Sequence, residues 1–213
     1  MTTALRQDAQ RNRERILAAA REEYREHGLD ASLEEIARRA GVGIATLYRR
    51  FPTRDALITA VFEDHIASFV QAGEDTLQIE DPWEAFETFV VRLCERQAAD
   101  VGLKDLLCTR FPDSKILEDA RRRGRTIVVK LIERAQDAGV LRSDVTPEDI
   151  EFVLWSNSRI LEATHGVAPN AWRRNVALML DAFRAENARP LPERALTRSE
   201  LQRSQANLRP DRH

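Results

Sequence analysis

SLEEIARRAGVGIATLYRRFPTRD, from Ser32 to Asp55, reads as two short helices and the turn between them. Ser32 with Glu35 three positions on is a capping-box pattern, in which the hydroxyl accepts from the Glu35 amide and the carboxylate reaches back to the Ser32 amide. Leu33, Ile36, Ala37 and Ala40 then fall at i, i+3, i+4 and i+7, one apolar helical face. Gly41 and Gly43 bracket Val42, as expected where a helix ends in a left-handed cap and the next begins at once. What remains between the helices is a turn of about three or four residues, the spacing of a helix-turn-helix that offers its second helix to the major groove of DNA.

In that second helix Leu47 and Phe51 lie one turn apart and face inward, leaving Ala45, Thr46, Tyr48, Arg49 and Arg50 around the other sides. Ile44 stays open between two roles: on an ideal wheel it falls near Leu47 and Phe51, whereas at a first turn it meets a thymine methyl. Pro52 ends the helix, because the residue before a proline resists the α region, and Thr53 caps the helix that follows.

Outward from this stretch nearly every segment has helical periodicity, which predicts an all-α chain. Ile16, Leu17, Ala20, Tyr24 and His27 share one side of a first helix ending at Gly28, and it packs the two short helices into a three-helix unit. Arg6, Arg11, Arg13 and Arg15 lie before or at its start, either as a phosphate-reaching arm or as a solvated one. A long fourth helix from Thr53 to about Ala72 leaves this unit and enters the rest of the chain. Asp81-Pro82 and Thr146-Pro147-Asp149 are cap-then-proline helix starts. Helices follow with Trp83, Phe86, Phe89, Val90 and Leu93, then Leu103, Leu106, Leu107 and Phe111, then Ser114 to about Ala138. Two more run from Thr146 and from about Pro169 to Ala185. The chain divides into a DNA-binding unit over 10–70, a helical regulatory and dimerisation unit over 71–186, and a polar, proline-broken tail over 187–213. The tail is expected to be mostly disordered, with a short helix at Leu196 to Leu201.

Composition limits the function classes. At 213 residues with a 43% hydrophobic fraction, the chain holds a small DNA-binding module and one larger core. No run approaches the apolar length of a membrane span and no signal-like segment opens the chain, so a cytoplasmic protein with no membrane partner is expected. Residues 1–54 carry 11 arginines and no lysine against 8 carboxylates, a net +3 on a chain whose total is -2. A mildly basic module on an acidic body suits a protein that sets one end on phosphates. Cys94 and Cys108 read as buried thiols. The scattered His27, His65, His165 and His213 do not make a ligand constellation, so no metal or cofactor is expected. No activated nucleophile and no glycine-rich phosphate loop is present, which argues against an enzyme.

The run from Asn12 to about Phe69 resembles the DNA-binding domain of the TetR/AcrR family of transcriptional regulators. The resemblance is carried by Ile16, Leu17, Ala19, Ala20 and Gly28; by Ile36, Ala37, Ala40, Gly41 and Val42; and by Thr46, Leu47, Tyr48, Phe51, Pro52, Leu57 and Val61. GVGIATLYRRFPTRDAL with the later DPWEAF and QAADVGLKDLL is similar to the branch whose C-terminal domain is named after the SbtR regulator. The resemblance implies a homodimer on double-stranded operator DNA, a small-molecule effector, and DNA contacts from Gly43, Ile44, Ala45, Thr46, Tyr48, Arg49, Arg50 and Arg54. Positions matching Thr46, Tyr48 and Arg54 meet the phosphate backbone in that family, and those matching Ile44, Ala45 and Arg49 face the groove. The chain departs from a hydrogen-bonding groove face at Gly43, Ile44 and Ala45, so specificity leans on arginines and DNA shape.

Phe86, Phe89, Phe111, Phe152 and Trp155, with Arg159, are the candidate effector-pocket residues. Singly each aromatic reads as core, and polar neighbours such as Ser156, Asn157, Thr109 and Arg110 sharpen the case for a cavity. The last two major helices carry apolar residues on more than one side, which calls for a second partner. By the resemblance that partner is the same helix pair from a second subunit, with Ile160, Val176, Met179 and Phe183 as candidate contacts. The alternative from another class is a ligand-independent DNA-organising protein whose helical domain only dimerises; a filled interior without a cavity is its mark.

Overall fold

A computed structural model describes residues 2–207, with side chains from Asp8 onward. Among the described residues the chain is helical apart from turns and one isolated bridge, Leu141 with Arg184. In order the helices are α1 (Thr2–His27), α2 (Leu33–Ala40), α3 (Ile44–Arg50), α4 (Arg54–Thr76), α5 (Pro82–Ala99), α6 (Val101–Cys108), α7 (Lys115–Asp137), α8 (Pro147–Ala163), α9 (Ala171–Phe183) and α10 (Arg198–Asn207). The start of α1 lies well before Arg11, Arg13 and Arg15, so these sit within a helix and not on an arm; the Arg6 side chain lies outside the described ones.

Local chemistry sets the helix ends. Ser32 Oγ accepts from Glu35 N at 3.3 Å, but the return half of the capping box is replaced by a Glu35–Arg38 pair, with Arg38 Nε donating at 2.8 Å. Asp81 caps α5 through Glu84 N at 2.7 Å, and at α8 Asp149 accepts from Thr146 N at 2.7 Å. Phe51 ends α3 in extended backbone ahead of Pro52, and Thr53 caps α4 through Ala56 N at 3.0 Å.

Two cores form. Ile16, Tyr24, Ile36, Leu47, Phe51, Leu57 and Phe62 fill the first; Phe86, Phe89, Leu131, Val153, Trp172 and Leu180 belong to the second. The first core is not closed by its own helices alone: Leu106 of α6, Phe111 of the segment after it and Leu117 at the start of α7 complete it. α6 approaches α1 so closely at Gly102 that an added Cβ would stand 2.8 Å from Phe62 and 3.0 Å from the Tyr24 carbonyl. The α6 segment is therefore built into the DNA-binding unit as firmly as into the larger domain.

The tail departs from the expected disorder. Residues 198–207 are helical, with Leu201 and Gln205 buried against the body. A Thr197–Glu200 capping pair starts α10, and Leu201 gives it the apolar anchor that its composition otherwise lacks.

Candidate DNA interface and effector cavity

α3 is presented by the turn before it. Gly41 adopts φ +61, the left-handed cap that only a residue without a Cβ enters freely, and its amide closes α2. Arg15 Nη2 donates to the Gly41 carbonyl at 3.2 Å, and the Arg13 guanidinium lies 5.4 Å from the Phe51 ring centroid. These two arginines brace both ends of α3 from α1.

Leu47 is 1% exposed and Phe51 4%, so the inward face is as read from the wheel. Ile44 is 37% exposed and Tyr48 46%, which puts Ile44 on the open face and ends its ambiguity. Gly43, Ala45, Arg49 and Arg50 are exposed beside them, Thr46 is half-buried, and Arg49 Nη2 reaches Thr46 Oγ1 at 3.3 Å. The outer surface of α3 is thus an apolar start at Ile44 and Ala45 followed by a phenol and two guanidinium groups.

Arg54 differs from its expected place in that set. Its Nη1 donates to the carbonyls of Leu29 at 2.9 Å and Ala31 at 2.7 Å, inside the α1–α2 turn. Asp105 of α6 grips the same turn from the other side, accepting from Leu29 N at 3.0 Å. Burial raises the Asp105 carboxyl above its ordinary range, and the Leu29 hydrogen bond opposes that rise.

α4, α5, α6, α7, α8 and α10 line a partly open cavity of about 200 Å³. Phe69, Phe89, Leu93, Leu106, Phe111, Val128, Ile150 and Leu154 supply apolar lining, with Glu151, Thr109 and several arginines among them. Arg121 donates to the Thr109 carbonyl at 2.7 Å and Arg110 forms a two-bond pair with Glu118 at 3.1 and 2.8 Å. Arg96 lies over the Phe69 ring at 5.5 Å. Glu151 is half-buried, and desolvation pushes its carboxyl upward against the pull of Arg121.

Of the sequence candidates for the pocket, Phe89 and Phe111 line it. Phe86 is packed in the larger core against Trp83 and Phe183. Phe152, Trp155 and Arg159 stand elsewhere on α8: Phe152 and Trp155 form an edge-to-face pair, and Phe152 is 40% exposed. The reason is phase. α8 turns Ile150, Glu151 and Leu154 toward the cavity, which leaves Phe152, Trp155 and Arg159 on another side. Glu151, the polar lining group that sequence reading missed, is one charged residue in an acidic helix start and carries no signal of its own before the helices are packed.

Among the dimer candidates, Val176 is 2% exposed and belongs to the chain's own core. Ile160, Met179 and Phe183 are half-buried at its edge. Ser156 Oγ contacts Met179 Sδ at 3.2 Å and accepts from Asn175 Nδ2 at 3.2 Å, so the stripe Phe152–Trp155–Ser156–Arg159 on α8 runs beside the stripe Asn175–Leu178–Met179 on α9. Leu178 is 59% exposed, and the buried Trp155 Nε1 has no hydrogen-bond partner among the described residues. Among those residues no group of His, Cys, Asp or Glu is arranged to hold a metal, and no helix is long and apolar enough to cross a membrane.

A short helix held by a glycine cap in a three-helix unit, with an open basic face, defines a helix-turn-helix protein. Residues 16–61 match the family described as bacterial regulatory proteins, tetR family, and residues 81–185 match the SbtR-like transcriptional regulator C-terminal domain. An uncharacterized HTH-type transcriptional regulator of Mycobacterium tuberculosis is 31% identical over 133 residues, covering 61% of this chain and 69% of that protein. A TetR transcriptional regulator of known structure from Streptomyces coelicolor is 34% identical, with a TM-score of 0.50 over 81% of this chain and 98% of that one. The regulator FadR from Bacillus subtilis, solved with stearoyl-CoA, has the same fold at 16% identity, with a TM-score of 0.59 over 83% of this chain and 99% of that one. The chain belongs to the tetR family and is a transcriptional regulator with a helix-turn-helix DNA-binding domain.

Proposed function

We propose that this protein is a ligand-responsive repressor that binds a pseudo-palindromic operator as a homodimer in the cytoplasm. The observation that carries the reading is the double duty of α6. Leu103, Leu106 and Leu107 line the cavity, while Asp105 between them holds the Leu29 amide of the DNA-binding unit at 3.0 Å. A molecule that moves α6 by filling the cavity therefore pulls on the turn that orients α2 and α3.

In this reading Tyr48, Arg49 and Arg50 supply the polar contacts of each reading head. One arginine is bidentate to guanine, worth about 1–3 kcal/mol of base discrimination, while Ile44 and Ala45 approach thymine methyls and Thr46 a phosphate. Two heads are joined through the exposed stripes of α8 and α9, where Leu178 and Phe152 need cover and the Trp155 indole needs an acceptor. Release requires an effector that binds the wrongly spaced state better than the DNA-bound one; equal affinity shifts nothing. The cavity favours this over a protein whose helical domain only dimerises.

The test is fluorescence anisotropy against labelled DNA flanking the protein's own gene, with non-specific competitor. Competitor-resistant binding to an inverted repeat, with two chains per site, is the expected result. Weak binding indifferent to sequence across those fragments counts against the repressor reading.

A further inference from the structure

One wall of the cavity is supplied by the chain's own C-terminal helix. α10 is set on the body chiefly by two side chains one turn apart: Leu201 is 6% exposed and Gln205 2%, with Arg198 and Gln202 also bordering the cavity, whereas Ser199, Arg203, Ala206 and Asn207 are exposed. Leu201 joins the apolar lining, and Gln205 Nε2 donates to Glu151 Oε2 at 3.0 Å. Arg121 stands 3.6 Å from the other oxygen of that carboxylate, and Arg125 and Glu148 also act on it. Leu201 belongs to neither hydrophobic core and packs instead among the residues that line the cavity.

A ten-residue polar helix is not stable in isolation, so 198–207 is helical because it is docked. Its first turn is nevertheless prepared for return. Thr197 and Glu200 bond reciprocally, and Arg194 pairs with Glu200 at 2.7 and 2.9 Å outside the body. The residues from 189 to 194 that connect it to the core are exposed. α10 is thus a locally capped helix at the end of an exposed connection that Arg142 ties to the body through the Arg189 carbonyl at 2.7 Å.

We propose that α10 is a built-in stand-in for the effector: a ligand enters by displacing Leu201 and Gln205, and it is an apolar molecule bearing an N–H or O–H donor for Glu151. The donor is called for because a purely apolar molecule in place of Gln205 would shut water away from the half-buried Glu151 carboxylate without replacing the hydrogen bond that Gln205 supplied. The inference rests on the cavity being the effector site, as proposed above.

The experiment uses N-phenyl-1-naphthylamine, an apolar fluorophore with one N–H donor, titrated into the full-length wild type, Leu201→Asp and Leu201→Asp/Glu151→Leu. Circular dichroism and melting curves are recorded on the same samples to establish that each variant is folded. Leu201→Asp is expected to bind the probe at least tenfold more tightly than wild type, and the added Glu151→Leu to reverse most of that gain. In the wild type, probe binding should speed amide hydrogen exchange at 198–207. Equal affinity of wild type and Leu201→Asp, or slower exchange at 198–207 with probe bound, overturns the stand-in role while leaving the cavity as a ligand site. Probe uptake by none of the three overturns both, and operator binding measured on the same preparations reports independently on the DNA-binding reading.

Discussion

Replacing Arg54 with methionine separates an arginine that holds the fold from one that holds DNA. Its Nη1 makes two hydrogen bonds, to Leu29 O at 2.9 Å and Ala31 O at 2.7 Å, in a half-buried position. Hydrogen bonds from a charged group contribute about 1.5–3 kcal/mol each, and partial exposure together with the stem packing that methionine keeps brings the expected loss to about 2–4 kcal/mol. For a chain of this size that lowers Tm by ~4–16 °C, at about 2–4 °C per kcal/mol. Operator affinity should weaken because the α1–α2 turn loosens, but the dependence of log K on log salt should keep its wild-type slope. A lost phosphate contact instead lowers that slope by ~0.9 per subunit, hence ~1.8 for two reading heads. Arg49→Met and Arg50→Met are the comparison: at least one should lower the slope and leave Tm unchanged. Anisotropy titrations at four or five salt concentrations, with a thermal melt of each variant, measure both quantities. A wild-type Tm and a reduced slope for Arg54→Met would refute the internal role and restore Arg54 to the DNA face.

Tyr48→Ala combined with Arg49→Ala should abolish operator binding while helicity and oligomeric state are unchanged, because both side chains project from α3 without supporting the core; retained affinity removes α3 as the reading helix. Met179→Asp should yield monomers in sedimentation, since the charge falls where the α8 and α9 stripes meet, and a persistent dimer moves the interface elsewhere. Burial pushes the Cys94 and Cys108 thiols up to about 12, so both stay protonated and unreactive at pH 8 in the native state. Alkylation should then track unfolding, and fast modification of the folded protein would show that these thiols are accessible. Gly102→Val should cost about 1–3 kcal/mol, because the new side chain meets the Tyr24 backbone, which cannot yield as a flexible side chain does. Hydrogen exchange at Leu29 should rise with it, and unchanged protection there would show that α6 does not depend on this close approach.

Much of the fold was legible because its signals are local. Asp81-Pro82, Thr146-Pro147, Gly41 and Pro52 punctuate the chain where caps and backbone geometry require, and the observed helices begin and end beside them. The inward face of α3 followed from spacing alone. Ile44 did not, since a first-turn residue on a short helix is decided by how far its neighbours cover it, and they leave it 37% exposed. The candidate cavity was legible only in part. Phe89 and Phe111 were visible as aromatics on apolar faces, but the same description fits Phe86, which is core, and Phe152, which is exposed.

The sequence by itself determined the helical periods, the caps, the glycine turn and the charge asymmetry, all of which arise from interactions within a few residues of each other. Tertiary structure alone decided what depends on residues far apart in the chain. It turned Arg54 into the α1–α2 turn, joined Asp105 to Leu29, directed Glu151 rather than Trp155 into the cavity, and set Leu201 and Gln205 in its wall. A helix wheel fixes which side chains share a face, but which face meets a cavity, a second domain or solvent is set by how the helices pack, and packing is a property of the whole chain.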